Sequence, residues 1–447
     1  MPQDDRQEAS EPEQGAAPPV SDRWRAWSWI PSLYFAEGLP LIVVMSVSTV
    51  MYKELDVSNA EIALYTSLLY LPWTIKPLWS PLVDLIGTQR GWTVVMQGVM
   101  AAAMFGISFT VTGSAFFATT LAFLWLLAIA SATHDIAADG FYMASMSQRD
   151  QAWFVGIRSA FYRLATIAGS GLLVMLAGYL SEGDTLLGSQ MSKPASWSTT
   201  FTVAASLYAL FAIYHLFFLP RPATKSQKAL DSALDGLTSF GEVFVSFFKK
   251  PHIVWAVTYM LLYRFSEAQL AKLKAPFLID AREEGGIGLA TVSLGWLDGT
   301  IGVSLLTLGG IIGGLILARD GLKKWIFPMA LAINIPNAAY AYLAFAQPES
   351  QWVVGAVIAI EQLGYGLGFS AYMLYMLYFS RGEHQTAHYA ICTGFMALGM
   401  MIPGMFCGWV QEQLGYDWFF VWVTVATIPS LIVTLLLPMP PEETADE

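Results

Sequence analysis

Apolar runs about twenty residues long recur along this chain, set apart by polar turns or by Gly and Pro. A helix of about 20 apolar residues crosses the roughly 30 Å of bilayer hydrocarbon, so each run predicts one transmembrane span. The runs are 28–50, 61–83, 92–112, 115–140, 153–180 and 199–219, then 252–279, 289–318, 325–345, 351–379, 386–410 and 417–437. They are numbered spans 1 to 12. The pattern predicts an all-α membrane protein with twelve transmembrane helices in two six-helix halves, 24–219 and 252–437. Residues 1–23 are acidic and Pro/Ala-rich and read as a disordered tail. No basic region or cleavage site marks them as a signal peptide. Residues 220–251 form a polar linker, with an amphipathic helix expected around Leu230 to Phe248, and 438–447 a short acidic tail.

Charge orients the layout. With both termini inside, the inner segments hold fourteen Lys and Arg, including Arg90, Arg149, Arg319, Lys323, Lys324 and five in the linker. The outer loops hold three: Lys53, Lys193 and Arg282. That bias supports an even number of spans with both termini cytoplasmic. The chain is 55% hydrophobic and 13% charged, whereas soluble domains run near 25% charged. The net charge of −11 lies largely in tails and loops and points to no nucleic-acid partner. Cys392 and Cys407 share one apolar run and read as small packing residues. His384 and His388 are four apart at an interface, without a partner Cys or carboxylate, so no metal and no cofactor is expected. A weak internal repeat supports the two halves: the turns after spans 2 and 8 each carry an acid, a Gly and a base and end in Trp92 or Trp325.

The residues that break the apolar pattern carry the candidate chemistry. Span 4 contains Thr133-His134-Asp135-Ile136-Ala137-Ala138-Asp139-Gly140. A charge at the bilayer centre costs roughly 2.5–3.5 kcal/mol on insertion scales, so such residues are functional candidates. Asp135 and Asp139 lie four apart and share a helix face. Glu37 in span 1, Glu267 in span 7 and Glu361 in span 10 give spans 1, 4, 7 and 10 a carboxylate each. Lys76, Arg158, Arg163 and Asp298 are further intramembrane charges. Asp135 and Asp139, with Arg163 as counter-ion or carboxylate anchor, are the favoured proton or substrate site, joined by His134, Glu37 and Glu361. Arg264 and Glu267, three apart, read as a structural or gating ion pair, and Lys76 and Asp84 are placed with them. Lys272 and Lys274 are expected to snorkel outward. Glycines 169, 171 and 178 in span 5 and 309, 310, 313 and 314 in span 8 read as close helix contacts. An intramembrane acyltransferase using His134 and Asp135 is the alternative from another class. Adjacent helical residues point about 100° apart, which speaks against it. A nutrient sensor is weaker still, since no long signalling tail is present.

Tyr34 to Leu41 with Gly38-Leu39-Pro40, Lys76-Pro77-Leu78-Trp79-Ser80-Pro81-Leu82-Val83-Asp84, and His134 to Gly140 resemble the AmpG-type muropeptide permeases and related acetyl-CoA transporters. Tyr162-Arg163-Leu164-Ala165, Leu262-Tyr263-Arg264 with Glu267, and Glu361 with Gly366 and Gly368 extend the likeness over nearly the whole membrane part. The resemblance implies a major facilitator fold with a cavity between the halves. It also implies proton-driven import of anhydro-muropeptides or their disaccharide core across a bacterial inner membrane. The expected partners are thus a small amino-sugar or muropeptide substrate, protons and membrane lipids, with the carrier a monomer. The family often has Gln where His134 stands, Ser near Glu37 and Asp where Glu267 stands, and members can carry two extra spans between the halves. Those departures leave other cargo open: an oligosaccharide, a siderophore, an acyl-CoA or a drug.

Overall fold

The computed structural model describes residues 20–182, 190–221 and 241–438. Among them the regular structure is helical throughout. In lipid every backbone N–H and C=O must be satisfied within its own segment, which helices achieve. Most helices are apolar all round, as bilayer burial demands. Interfacial hydroxyls start several of them. Ser58 Oγ accepts from the Glu61 N–H (3.2 Å), Thr88 Oγ1 from Gly91 (3.0 Å) and Ser147 Oγ from Asp150 (3.2 Å).

Nine of the described helices are long and apolar enough to cross a membrane. They yield twelve crossings once three features are counted. The helix Gln385–Leu435 is 51 residues long and turns back at Gly415, whose φ of 72° is glycine's left-handed region, so it holds spans 11 and 12. Span 2 is broken into Asn59–Leu68, Leu71–Ile75 and Ser80–Leu85, with a 3₁₀ turn at Lys76–Leu78 between Pro72 and Pro81. Span 7 is broken into Ile253–Leu262 and Phe265–Ile279, with Arg264 at the break. Spans 1, 3, 4, 5 and 6 end at Glu54, Thr110, Ser145, Glu182 and Phe218, and spans 8, 9 and 10 at Asp320, Ala346 and Ser380. The first helix begins at Val20, four residues inside the segment expected to be a tail. Of the linker, residues 241–248 are helical and Phe247 is buried against the second half. The rest of that expected helix, and most of both tails, lie outside the described residues.

The end at which spans 1 and 2 join is called outer, after the charge count. Π-helical turns at Ile167–Leu173 in span 5 and Gly295–Gly302 in span 8 meet across the seam between the halves. Glycine makes the approach possible. A Cβ at Gly171 would lie 2.6 Å from Thr300 Oγ1, and one at Gly178 would lie 2.6 Å from the Val292 nitrogen. A Cβ at Gly299 would collide with the Ser170 carbonyl, and one at Gly408 in span 11 with the Asn59 carbonyl at the start of span 2.

Candidate functional site

The first polar site lies within the first half. Asp139 sits six residues from the inner end of the helix Phe116–Ser145, about 9 Å along its axis at 1.5 Å per residue. Asp139 thus lies toward the inner end of its helix, while Glu37 stands near the middle of the helix Trp24–Glu54. Carboxylate oxygens of Glu37, Asp135 and Asp139 all lie within 4.8 Å of one another. Lys76, freed by the break in span 2, forms an ion pair with Asp135. Arg158 forms one with Asp139, and its guanidinium stacks 4.0 Å from the Tyr34 ring centroid and 4.3 Å from that of Tyr142. The Tyr34 hydroxyl donates to Asp139 Oδ1 at 3.1 Å. Glu37 Oε2 is buried without a hydrogen-bond partner. Three acids thus face two bases, and Glu37 is the acid without a base of its own.

The counter-ion from span 5 is Arg158, not Arg163. Five residues on a helix amount to about 500°, or 140° net, so these two arginines leave span 5 on different sides. His134 also turns away from the carboxylates. Its Nε2 is 3.0 Å from Gln97 Nε2; Gln97 Oε1 is 2.9 Å from His215 Nδ1; His215 Nε2 is 2.9 Å from Ser32 Oγ. This chain ties spans 1, 3, 4 and 6 together. His134 and Asp135 have different partners and make no dyad. Lys76 pairs with the cluster, whereas the Asp84 side chain lies outside the described residues.

The second site is a cavity of about 490 Å³ between the halves. Arg163, Tyr70 and Tyr162 face it from the first half, and Arg264, Glu267, Lys274, Asp298, Glu361 and Tyr365 from the second. Glu37, Asp135 and Asp139 are not among its lining residues. Lys274 Nζ lies 2.7 Å from Asp298 Oδ1 and 3.1 Å from Glu361 Oε2, and the Tyr340 hydroxyl donates to the same Glu361 oxygen at 3.3 Å. Lys274 and Lys272 do not snorkel outward. Each is 6% exposed, and Lys272 donates to Thr66 Oγ1 of span 2 at 2.8 Å. Both sit mid-helix in the broken span 7, where bilayer contact would leave an ammonium in hydrocarbon.

Arg264 and Glu267 form the ion pair their spacing suggests. Arg264 Nε and Nη2 each lie 2.8 Å from Glu267 Oε2, and Nη2 donates to the Tyr365 hydroxyl at 2.6 Å. Removing one partner of a buried pair leaves the other charge stranded, at about 3–5 kcal/mol, whereas removing both is far milder. Arg264→Met is therefore expected to lower the melting temperature sharply and the double change Arg264→Met/Glu267→Met to recover most of it. Thermal unfolding in detergent reads this; equal losses in single and double variants would contradict a structural pair.

A third polar set closes the outer end. Lys53 Nζ of span 1 is 2.7 Å from Asp280 Oδ1 of the span 7 end and 3.1 Å from Asn59 Oδ1. Asn59 Nδ2 donates to Gln411 Oε1 and to the Tyr416 hydroxyl, both at 2.8 Å, and Tyr416 donates to Asp280 Oδ2 at 2.6 Å. Glu54 accepts from Trp197 Nε1 at 2.8 Å and from Thr291 Oγ1, while the Thr291 N–H donates to Glu182 at 3.1 Å. The contacts Lys53–Asp280, Asn59–Gln411, Asn59–Tyr416, Glu54–Thr291 and Thr291–Glu182 cross from one half to the other. None was singled out from the sequence, because each polar residue sits at a span end where polar residues are ordinary.

Two helical halves, a polar cavity between them and a bonded seam at one end are the features of a membrane carrier. The chain belongs to the Major Facilitator Superfamily, whose family model matches residues 32–384, and it is a multi-pass membrane transporter. It is 24% identical over 417 residues to the anhydromuropeptide permease of Escherichia coli K12, covering 90% of this chain and 78% of that protein. A Haemophilus influenzae protein is 25% identical over 419 residues, covering 89% of this chain and 91% of its own length. Among solved structures, the nucleoside transporter NupG superposes with a TM-score of 0.69 at 15% identity, over 92% of this chain and 98% of NupG. A bacterial homologue of the lysosomal transporter Spinster gives 0.67 at 16% identity, over 95% and 97%. At these identities the superpositions speak to fold alone.

Proposed function

We propose that this protein is a proton-coupled importer of anhydro-muropeptides in a bacterial inner membrane, acting as a monomer with both termini cytoplasmic. The similarity to an anhydromuropeptide permease over 90% of this chain supports the cargo. The observation that carries the coupling is the set of three acids, Glu37, Asp135 and Asp139, against two bases, Lys76 and Arg158. A surplus buried charge is costly, and one proton neutralises it. Glu37 is the natural holder, since Asp135 and Asp139 are engaged by Lys76 and Arg158. The set lies outside the cavity lining, so it is suited to a proton rather than to cargo. Cargo binds in the cavity between the halves, where the residues of both can close on it.

The test is uptake of labelled anhydro-disaccharide and its peptide-bearing form into proteoliposomes, with an imposed pH gradient, with a sodium gradient, and with neither. Accumulation is expected under the pH gradient alone. Uptake indifferent to pH would remove the proton; accumulation driven by sodium would reassign the carboxylate set to a metal cation.

A further inference from the structure

Charge is unevenly divided across the cavity. In the spans, Lys76 pairs with Asp135, Arg158 with Asp139, Arg264 with Glu267, and Lys274 with Asp298 and Glu361. Lys272 has no acid, but its ammonium is turned into span 2, on Thr66 Oγ1 at 2.8 Å. Arg163 differs from all of these. It lines the cavity from span 5, is half-buried, and makes no hydrogen bond or ion pair among the described residues. An unpaired guanidinium at membrane depth is expensive unless an anion meets it.

The facing wall has the opposite imbalance. One ammonium, Lys274, is shared by two carboxylates at 2.7 and 3.1 Å. Glu361 is further held by Tyr340 at 3.3 Å and its side chain is only 6% exposed, while that of Asp298 is 22% exposed. The two acids together exceed Lys274 by one negative charge, and Asp298, which also accepts from Gln362 Nε2 at 3.4 Å, is the one open to the cavity. It stands on the π-helical turn Gly295–Gly302, a distortion that recurs at functional sites because it re-aims side chains.

We infer that the cargo is dipolar, setting a carboxylate on Arg163 of the first half and an ammonium against Asp298 of the second. A lone anion meets Arg163 but faces a surplus carboxylate opposite. A neutral sugar satisfies neither wall. A molecule with both groups neutralises both and draws the two halves together across a cavity of about 490 Å³, within the range of small-molecule sites. The inference rests on the carrier reading above and narrows it: peptide-bearing amino sugars with a free amine are preferred over the bare disaccharide, which engages Arg163 alone.

The experiment compares three labelled forms of one peptide-bearing anhydro-amino sugar in proteoliposomes: free, amine-acetylated and carboxyl-amidated. Each cap is expected to raise KM by about tenfold or more, the worth of a charge-assisted hydrogen bond. Arg163→Gln should erase the preference for free carboxylates and keep that for the free amine; Asp298→Asn should do the reverse. Both variants are expected to fold, because Arg163 has no partner to strand and Lys274 keeps Glu361. Equal transport of all three forms by the unaltered protein overturns the inference. If none of the three enters, the cell-wall cargo reading fails. The inference is then read by thermal shift of the purified protein with a free tripeptide against its acetylated and amidated forms. A larger shift with the free tripeptide supports it, and equal shifts refute it.

Discussion

Glu37→Gln is expected to abolish accumulation while leaving exchange of cargo across the membrane intact. With one proton coupled, a pH gradient of about two units supports about 100-fold accumulation, since each unit is worth about 1.4 kcal/mol. The variant should fall to equal concentrations on the two sides. The choice of Glu37 over the aspartates follows from the pairing. Asp135→Asn strands Lys76, and Asp139→Asn strands Arg158 between Tyr34 and Tyr142, so either loss mixes coupling with stability. Gln at position 37 resembles the protonated acid in shape, removes the surplus charge and strands no cation. The carrier should then behave as though always loaded with its proton. Gradient-driven uptake and counterflow, measured on the same vesicles, separate the outcomes: lost uptake with normal counterflow supports Glu37 as the proton holder, and gradient-driven accumulation as in the unaltered protein removes it.

Much of this was legible in the chain before any coordinates. Twelve apolar runs became twelve crossings because hydrocarbon thickness leaves a helix little choice of length. Even the broken spans 2 and 7 were readable, since Pro72, Pro77 and Arg264 interrupt runs that remain long enough to cross. The residue types of both sites were legible for the same reason: a charge in such a run stands out. Their pairing was not. Which way a side chain leaves its helix depends on rotation about the axis and on which helix lies alongside. Arg158 and Arg163 are equivalent in hydropathy, yet one closes the carboxylate cluster and the other faces the cavity. Lys272 and Lys274, two apart, point to opposite sides, toward Thr66 and toward Asp298 with Glu361. The π-helical turns in spans 5 and 8 add a register shift that no 3.6-residue reading anticipates. The outer seam stayed hidden because its bonds join residues more than 100 positions apart, such as Asn59 and Gln411.

That seam carries the second large expectation. Gly299→Ala and Gly408→Ala together should hold the outer end open and stop net transport. The added methyl at 299 would overlap the Ser170 carbonyl, and that at 408 the Asn59 carbonyl; both obstacles are backbone in the opposite half and cannot swing aside as a side chain would. Overpacking costs typically about 1–3 kcal/mol per site, and sites on separate helix pairs add. Moving a two-state equilibrium from 99:1 to 1:99 takes about 5.5 kcal/mol, so one substitution slows transport while two approach a trapped state. The penalty applies only where the halves touch, so it falls on the closed-outside state and spares the open one. Spin labels at exposed outer positions 56 and 284, one on each half, should report a longer distance in the double variant than in the parent. Pairing that distance with uptake makes the outcome decisive. Lost uptake at an unchanged distance would mean that the methyls damage the fold rather than the gate, and unchanged uptake would mean that the seam closes loosely enough to admit them.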